Sequence, residues 1–291
     1  MSKLPKSRSY AYFLLLLNTT LWGFSGPIIK FGLGFISPEN FLFYRFLIAT
    51  LLFTPFFLLY RQKHRQKIHY PTTLFLALLG TPLTLLPLFY GLDLTTSIEA
   101  SILDATSPVF IIFGGLLFLN EKLTKREWQG FLITLLGTAL LIFDPIINGG
   151  AHVKQLSLTG NGLIMLSNLL WAIFLLVSKK LKVDAIVLTF FSFLVSIPFF
   201  LFLTLKTGLE PLALPALPSV LYMAIGSSII AFWAYSEGQK HIEASEAAIF
   251  GYLRPLFALP LGLLWLKEPM TPLSVASLVL ITSGVFFSEK R

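Results

Sequence analysis

Apolar runs of 18 or more residues recur along almost the whole chain, and no other feature restricts its folding so severely. A helix needs roughly 20 apolar residues to cross the hydrocarbon core of a bilayer, so each run is long enough to span it. The chain is 55% hydrophobic and only 12% charged, with 29 phenylalanines in 291 residues. A soluble domain has no interior able to hide so much apolar surface, which makes this an all-α membrane protein. Ten transmembrane helices are expected, at about 10–29, 40–60, 72–92, 96–119, 127–146, 158–178, 185–206, 216–236, 244–266 and 272–288. Lys3, Lys6 and Arg8 precede the first run as they would a signal peptide. The run is too long for one and lacks a small-residue cleavage site, so it is read as span 1.

Residues 97–137 return in degenerate form 147 positions later, as residues 244–284. Without a gap the copies share Glu99/Glu246, Ala100/Ala247, Pro108/Pro255, Gly115/Gly262, Glu121/Glu268, Thr124/Thr271 and Gly137/Gly284. Each copy reads as an apolar helix, a polar turn beginning at the second glutamate, and another apolar helix. Thr124 with Glu127 forms a capping box, and Thr271-Pro272 supplies an N-cap hydroxyl and a first-turn proline. Ser37-Pro38 opens span 2 and Asp184 caps span 7 in the same way. The likeness extends to residues 22–30 against 171–179, and to Gly91 against Gly238. Two five-helix halves follow, 10–147 and 158–289, joined by a polar connecting loop at 148–157. Because five is odd, the second half enters the membrane from the opposite face. The halves are inverted repeats, an arrangement of secondary transporters whose substrate site lies near the midplane.

Charge supports the same topology. With the N-terminus cytoplasmic, 16 of the 22 lysines and arginines fall on the inner side and 4 on the outer, while Arg45 and Arg254 lie within spans. Both termini are therefore expected in the cytoplasm. The net charge of +8 sits in short loops between spans, which argues against a nucleic-acid partner. The absence of cysteine excludes disulfide frameworks, thiolate zinc sites and thiol nucleophiles. No GxxxxGK[ST], HExxH or GxSxG motif occurs, and His64, His69, His152 and His241 fall in loops or at span ends. No enzyme, metal site or cofactor is expected.

The paired signatures Ser97-Ile-Glu-Ala-Ser-Ile, Ser107-Pro108 and Leu119-Asn-Glu121-Lys, echoed by Ala244-Ser-Glu-Ala-Ala-Ile, Arg254-Pro255 and Leu266-Lys-Glu268-Pro, resemble the EamA-type family of the drug/metabolite transporter superfamily. Leu21-Trp22-Gly23 in span 1 adds to the likeness. The resemblance covers about residues 10–288. It implies ten helices, a central cavity lined by spans 1, 3, 4, 6, 8 and 9, and alternating access without nucleotide hydrolysis. The chain departs from the family in having Ser107 and Arg254 where an acidic residue often precedes the prolines of spans 4 and 9.

Candidate site residues are the polar groups that a span has no reason to carry on a lipid-facing side. Arg254, in the middle of span 9, either contacts a substrate anion or pairs with Asp104 of span 4, and a substrate can compete for such a pair. For Asp104, neutralising Arg254 or carrying a coupling proton is favoured over binding a cationic substrate group. Glu99 and Glu246 are coupling candidates, or complements to the dipoles of their helices. Pro108 and Pro255 read as hinges or as static kinks. Asn18, Trp22 and Ser25 in span 1, Asn168 and Trp171 in span 6, Thr81 and Tyr90 in span 3, and Ser228 and Trp233 in span 8 are read as cavity walls. The alternatives are interhelical hydrogen bonding for the polar groups and interfacial anchoring for the aromatic ones. Arg45, near the outer end of span 2, is expected to snorkel to the surface.

The expectation is a multi-pass carrier of the cytoplasmic (inner) membrane that moves a small polar metabolite. An amino acid or amino-acid-like compound is favoured, with export ahead of uptake. Uptake of a nucleoside-like or cofactor-like metabolite such as S-adenosylmethionine is the alternative, and a non-transporting scaffold or sensor is the rival of another class. The expected partners are a small-molecule substrate and the lipid bilayer, with room for a homodimer.

Overall fold

The computed structural model describes residues 8–64, 67–104, 106–107, 110, 114, 125–148, 151–181, 183–238, 250 and 253–289, and these are almost entirely helical, with no strand among them. The chain runs through α1 (Arg8–Leu33), α2 (Pro38–Lys63), α3 (Tyr70–Gly80), α4 (Pro82–Leu94), α5 (Ser97–Asp104), α6 (Lys125–Asn148), α7 (Ala151–Leu181) and α8 (Ala185–Thr207). There follow a 3-10 turn (Leu214–Ala216), α9 (Leu217–Leu221), a π-helix (Tyr222–Ile230) and α10 (Ala231–Gly238), then α11 (Arg254–Pro260), a second π turn (Leu261–Trp265) and α12 (Pro272–Glu289). Among the described residues six segments are long and apolar enough to cross a membrane, and the shorter apolar helices include Arg254–Trp265 and Pro272–Gly284. This is a multi-pass membrane protein.

Local chemistry explains the element boundaries. Asp184 Oδ1 accepts from the backbone N–H groups of Ile186 and Val187, both at 3.0 Å, and opens α8. Thr271 Oγ1 accepts from Ser274 N at 3.0 Å and opens α12. The capping box at Thr124 and Glu127 lies outside the residues whose side chains are described.

Three elements differ from expectation. The single span at 72–92 is broken at Thr81 (φ −125°, ψ −78°), because Pro82 has no N–H to continue the helix. Thr84 Oγ1 donates to the Leu79 carbonyl at 2.7 Å and repairs part of the break. The polar residues expected to form a loop at 148–157 instead join α7 from Ala151 onward. Span 8 is not a regular α-helix but carries nine residues of π-helix at its centre.

Glycines mark the closest helix contacts. A Cβ on Gly91 of α4 would meet Gly160 O of α7 at 2.8 Å, and one on Gly238 of α10 would meet Leu15 Cγ of α1 at 3.0 Å. Gly137 of α6 lies against Leu280 and Ile281 of α12, while Gly284 of α12 lies against Gly130 and Thr134 of α6. Gly91 and Gly238 are 147 positions apart, as are Gly137 and Gly284, so each pair of glycines related by the repeat offset makes a close helix contact. The main core, including Phe41, Phe46, Phe89 and Phe200, fills the space between α2, α4 and α8.

Candidate functional site

A cavity of about 590 Å³ lies between these helices. It reaches from Ile29 and Leu92 at one end of the bundle to Ser178 and Ala185 at the other. A spanning helix needs roughly 20 apolar residues and leaves few inward polar groups, so the groups that do face this space define its chemistry.

An ion pair stands in the cavity wall. Arg254 Nη1 and Asp104 Oδ2 are 3.0 Å apart, joining the start of α11 to the end of α5. Their side chains remain 22% and 33% exposed, so both are open to a solute. The Arg254 guanidinium carbon lies 4.7 Å from the centre of the Trp22 ring, a cation–π contact. Arg254 Nε is buried with no acceptor among the described residues. Gly23 makes this arrangement possible, because a Cβ there would be 2.9 Å from the Arg254 carbonyl and 2.8 Å from Phe257 Cβ.

Two tryptophans wall the same space. Trp22 and Trp171 meet edge to face at 6.4 Å. Trp22 Nε1 donates to Ser227 O at 3.0 Å, and Ser25 Oγ lies 3.1 Å from Ser227 Oγ, so the π-helix orients the ring. Asn168 lines the cavity while donating through Nδ2 to the Leu103 carbonyl at 3.0 Å. Thr81, at the break between α3 and α4, lines it as well. Arg254, Asp104, Trp22, Ser25, Asn168, Trp171 and Thr81 are therefore gathered in one place.

The remaining sequence candidates lie elsewhere. Asn18 is buried and donates to Ala231 O at 3.0 Å, tying α1 to α10. Tyr90 donates to Glu39 Oε2 at 2.8 Å, outside the cavity lining. Ser228 faces Arg45 Nε at 3.0 Å, and Trp233 is 47% exposed on the outside of the bundle. Glu99 lies beside the cavity rather than in its wall, with its Oε2 2.6 Å from Thr95 Oγ1 and 2.9 Å from Asn161 Nδ2. Pro255 occupies the first turn of α11, a position that tolerates a residue without an N–H. Pro108 and Glu246 lie outside the described residues.

Arg45 corrects a sequence expectation. It does not snorkel to the surface but is 4% exposed and lines the cavity. Its depth, two turns into α2, suited snorkelling; only the direction in which α2 faces decides otherwise. Glu268 was also missed as a structural group. It accepts from Ser97 N at 2.8 Å, Ser97 Oγ at 2.7 Å and Ile98 N at 3.1 Å, so a loop of the second half caps α5 of the first. Its recurrence at the 147-residue offset was the available signal.

Comparison with known proteins agrees with this reading of the fold. An uncharacterized transporter of Archaeoglobus fulgidus is 26% identical over 97% of this chain and 98% of its own length. The Bacillus subtilis uncharacterized transporter YdfC is 27% identical over 92% of this chain and 87% of its own length. A solved crystal structure superimposes with a TM-score of 0.69 at 19% identity, covering 97% of this chain and 96% of that one, a likeness of fold. The profile of the EamA-like transporter family matches twice, at residues 9–143 and 158–289, and the chain belongs to that family.

Proposed function

We propose that this transporter is a secondary carrier of ten spans in two inverted five-helix halves, moving a small amino-acid-like metabolite across the cytoplasmic membrane by alternating access. The observation that carries this reading is the partly exposed Arg254–Asp104 pair in a tryptophan-walled cavity. An amino acid offers each partner an exchange: its carboxylate for Arg254 and its ammonium for Asp104. The tryptophan faces and the Asn168 amide suit an apolar or aromatic body.

The reciprocal glycine contacts of α4 on α7 and α10 on α1 support the inverted arrangement. The cavity reaches Ser178 and Ala185, at the end that the charge count assigns to the cytoplasm. At the other end Lys30 Nζ donates to the Leu92 and Asp93 carbonyls, both at 2.8 Å, and Phe31 stacks on Trp265 at 4.8 Å. A cavity closed at one end fits one state of an alternating cycle.

Glu99 is the residue proposed to carry a coupling proton. Its Oε2, Thr95 Oγ1 and the Asn161 amide touch one another in three contacts. Thr95 and Asn161 supply one hydrogen each to this triangle, whichever way the amide is turned, and a protonated Glu99 supplies the third.

Counterflow in proteoliposomes, using the common amino acids singly, tests the reading. Arg254→Ala and Asp104→Asn should each abolish exchange of a solute that the wild type carries. Exchange of no solute by the wild type, or unchanged exchange in both variants, refutes the assignment.

A further inference from the structure

Arg45 is the cavity charge that the ion pair leaves out. It lines the same cavity as Arg254 and Asp104, which are the other two charged residues of the described lining. Two guanidiniums thus face one carboxylate, and Arg254 already holds it. The one polar contact of Arg45 among the described residues is with Ser228, so no carboxylate of those residues neutralises it.

Its surroundings hold the guanidinium while leaving its outer N–H groups unanswered. Arg45 Nε donates to Ser228 Oγ at 3.0 Å, and the Ser228 hydroxyl donates in turn to the Met223 carbonyl at 2.9 Å. That second bond reaches five residues back, which the wide turn of the π-helix permits. The guanidinium carbon lies 5.1 Å and 5.9 Å from the ring centres of Phe46 and Phe89. Nε is therefore anchored, and the four N–H bonds of the two Nη atoms have no acceptor among the described residues. Leaving a buried cation unpaired costs several kcal/mol, so a residue used only for packing would be apolar. One stretch of π-helix seats both arginine sites: Ser227 holds the tryptophan beneath Arg254, and its neighbour Ser228 holds Arg45.

We propose that Arg45 is a second anion-binding residue of the cavity and that the ligand is a small organic carboxylate carrying one net negative charge. This deepens the carrier reading and rests on the cavity being the solute site. A carboxylate matches the fork of the two Nη atoms. One net negative charge balances the lining, whereas a phosphate monoester, with a charge of about −1.5 to −2 near neutral pH, overshoots it.

The test uses the full-length protein in nanodiscs. Thermal unfolding is followed at fixed ionic strength with L-glutamate, L-glutamine and L-lysine, solutes of similar size and different net charge, and with 3-phenylpropionate against its amide. At least one carboxylate should stabilise the wild type well beyond its amide. Arg45→Gln should weaken that binding roughly tenfold or more, the loss expected for a charged hydrogen bond. Without ligand the same variant should unfold at no lower temperature than wild type, because it sheds an unpaired buried charge. Arg45→Lys keeps the charge without the fork and should retain part of the affinity, while Ser228→Ala should weaken carboxylate binding by loosening the seat.

Equal stabilisation by acid and amide, by all solutes or by none, overturns the inference. So does an Arg45→Gln protein that binds the carboxylate as wild type does. If Arg45→Gln fails to fold while the lysine and Ser228→Ala variants bind normally, Arg45 is structural and the inference again falls. Flux of a neutral or cationic solute that survives Arg45→Gln but not Arg254→Ala keeps the carrier reading and removes this one. Carboxylate binding without flux of any solute does the reverse.

Discussion

Replacing Gly23 by alanine tests whether helix packing sets the geometry of the site. The new methyl carbon would stand 2.8 Å from Phe257 Cβ and 2.9 Å from the Arg254 carbonyl oxygen, whereas ordinary contact begins at 3.4 Å. Neither obstacle is the end of a flexible side chain, so α1 and α11 must separate by several tenths of an ångström. Overpacking of this kind costs about 1–3 kcal/mol. The displacement falls on Arg254 itself, which depends on a 4.7 Å contact with Trp22 and a 3.0 Å bond to Asp104. Two other glycines serve as controls. Gly284→Ala meets Gly130 O at 2.7 Å and strains the α6–α12 contact, away from the cavity lining. Gly162→Ala meets nothing within 4 Å and should stay within about 0.5 kcal/mol of wild type. Melting temperature in nanodiscs and counterflow per folded molecule are measured for all three. Gly23→Ala should lose both stability and exchange, Gly284→Ala stability alone, and Gly162→Ala neither. A Gly23→Ala protein with wild-type exchange per folded molecule would refute the claim that this contact positions Arg254.

Three further outcomes follow from the hydrogen bonds. Glu268→Ala leaves two backbone N–H groups of α5 and the Ser97 hydroxyl without their acceptor and should lower stability by about 2–4 kcal/mol, read as a drop in melting temperature; an unchanged value would place the cap elsewhere. Glu99→Gln supplies a permanent third hydrogen to the Thr95–Asn161 triangle, so the fold and solute exchange should survive while accumulation driven by a pH gradient is lost; accumulation equal to wild type would dismiss Glu99 as the proton carrier. Tyr90→Phe removes one hydrogen bond to Glu39 outside the cavity, so stability should fall by about 1 kcal/mol with solute affinity unchanged, and a large loss of affinity would return Tyr90 to the site.

Residue chemistry read along one dimension reaches as far as a group acts on its own neighbours. Asp184 caps α8 and Thr271 caps α12 because an N-cap needs only a short side chain and the two or three residues after it. Trp22 and Trp171 were recognisable because tryptophans flanked by amides and hydroxyls have little reason to face lipid. The same rule misplaces Asn18, whose amide joins α1 to α10, and Trp233, whose ring points outward. A polar or aromatic residue in a span needs a partner, and composition does not say whether that partner is another helix, the membrane interface or a cavity.

The membrane class, the doubling of the chain at a 147-residue offset and most of the helix starts are written in the sequence, because apolar length and capping are local quantities. Packing alone decides which side of each helix faces the cavity. It turns Arg45 inward rather than to the surface, couples Arg254 to Asp104 across 150 positions, and lets Glu268 cap a helix 171 residues away. It also creates the wide turn of residues 222–230, which positions Ser227 and Ser228 for contacts that no short-range pattern foretells. The orientation of one helix against another is a property of the assembled bundle, and the chemistry of the cavity depends on it.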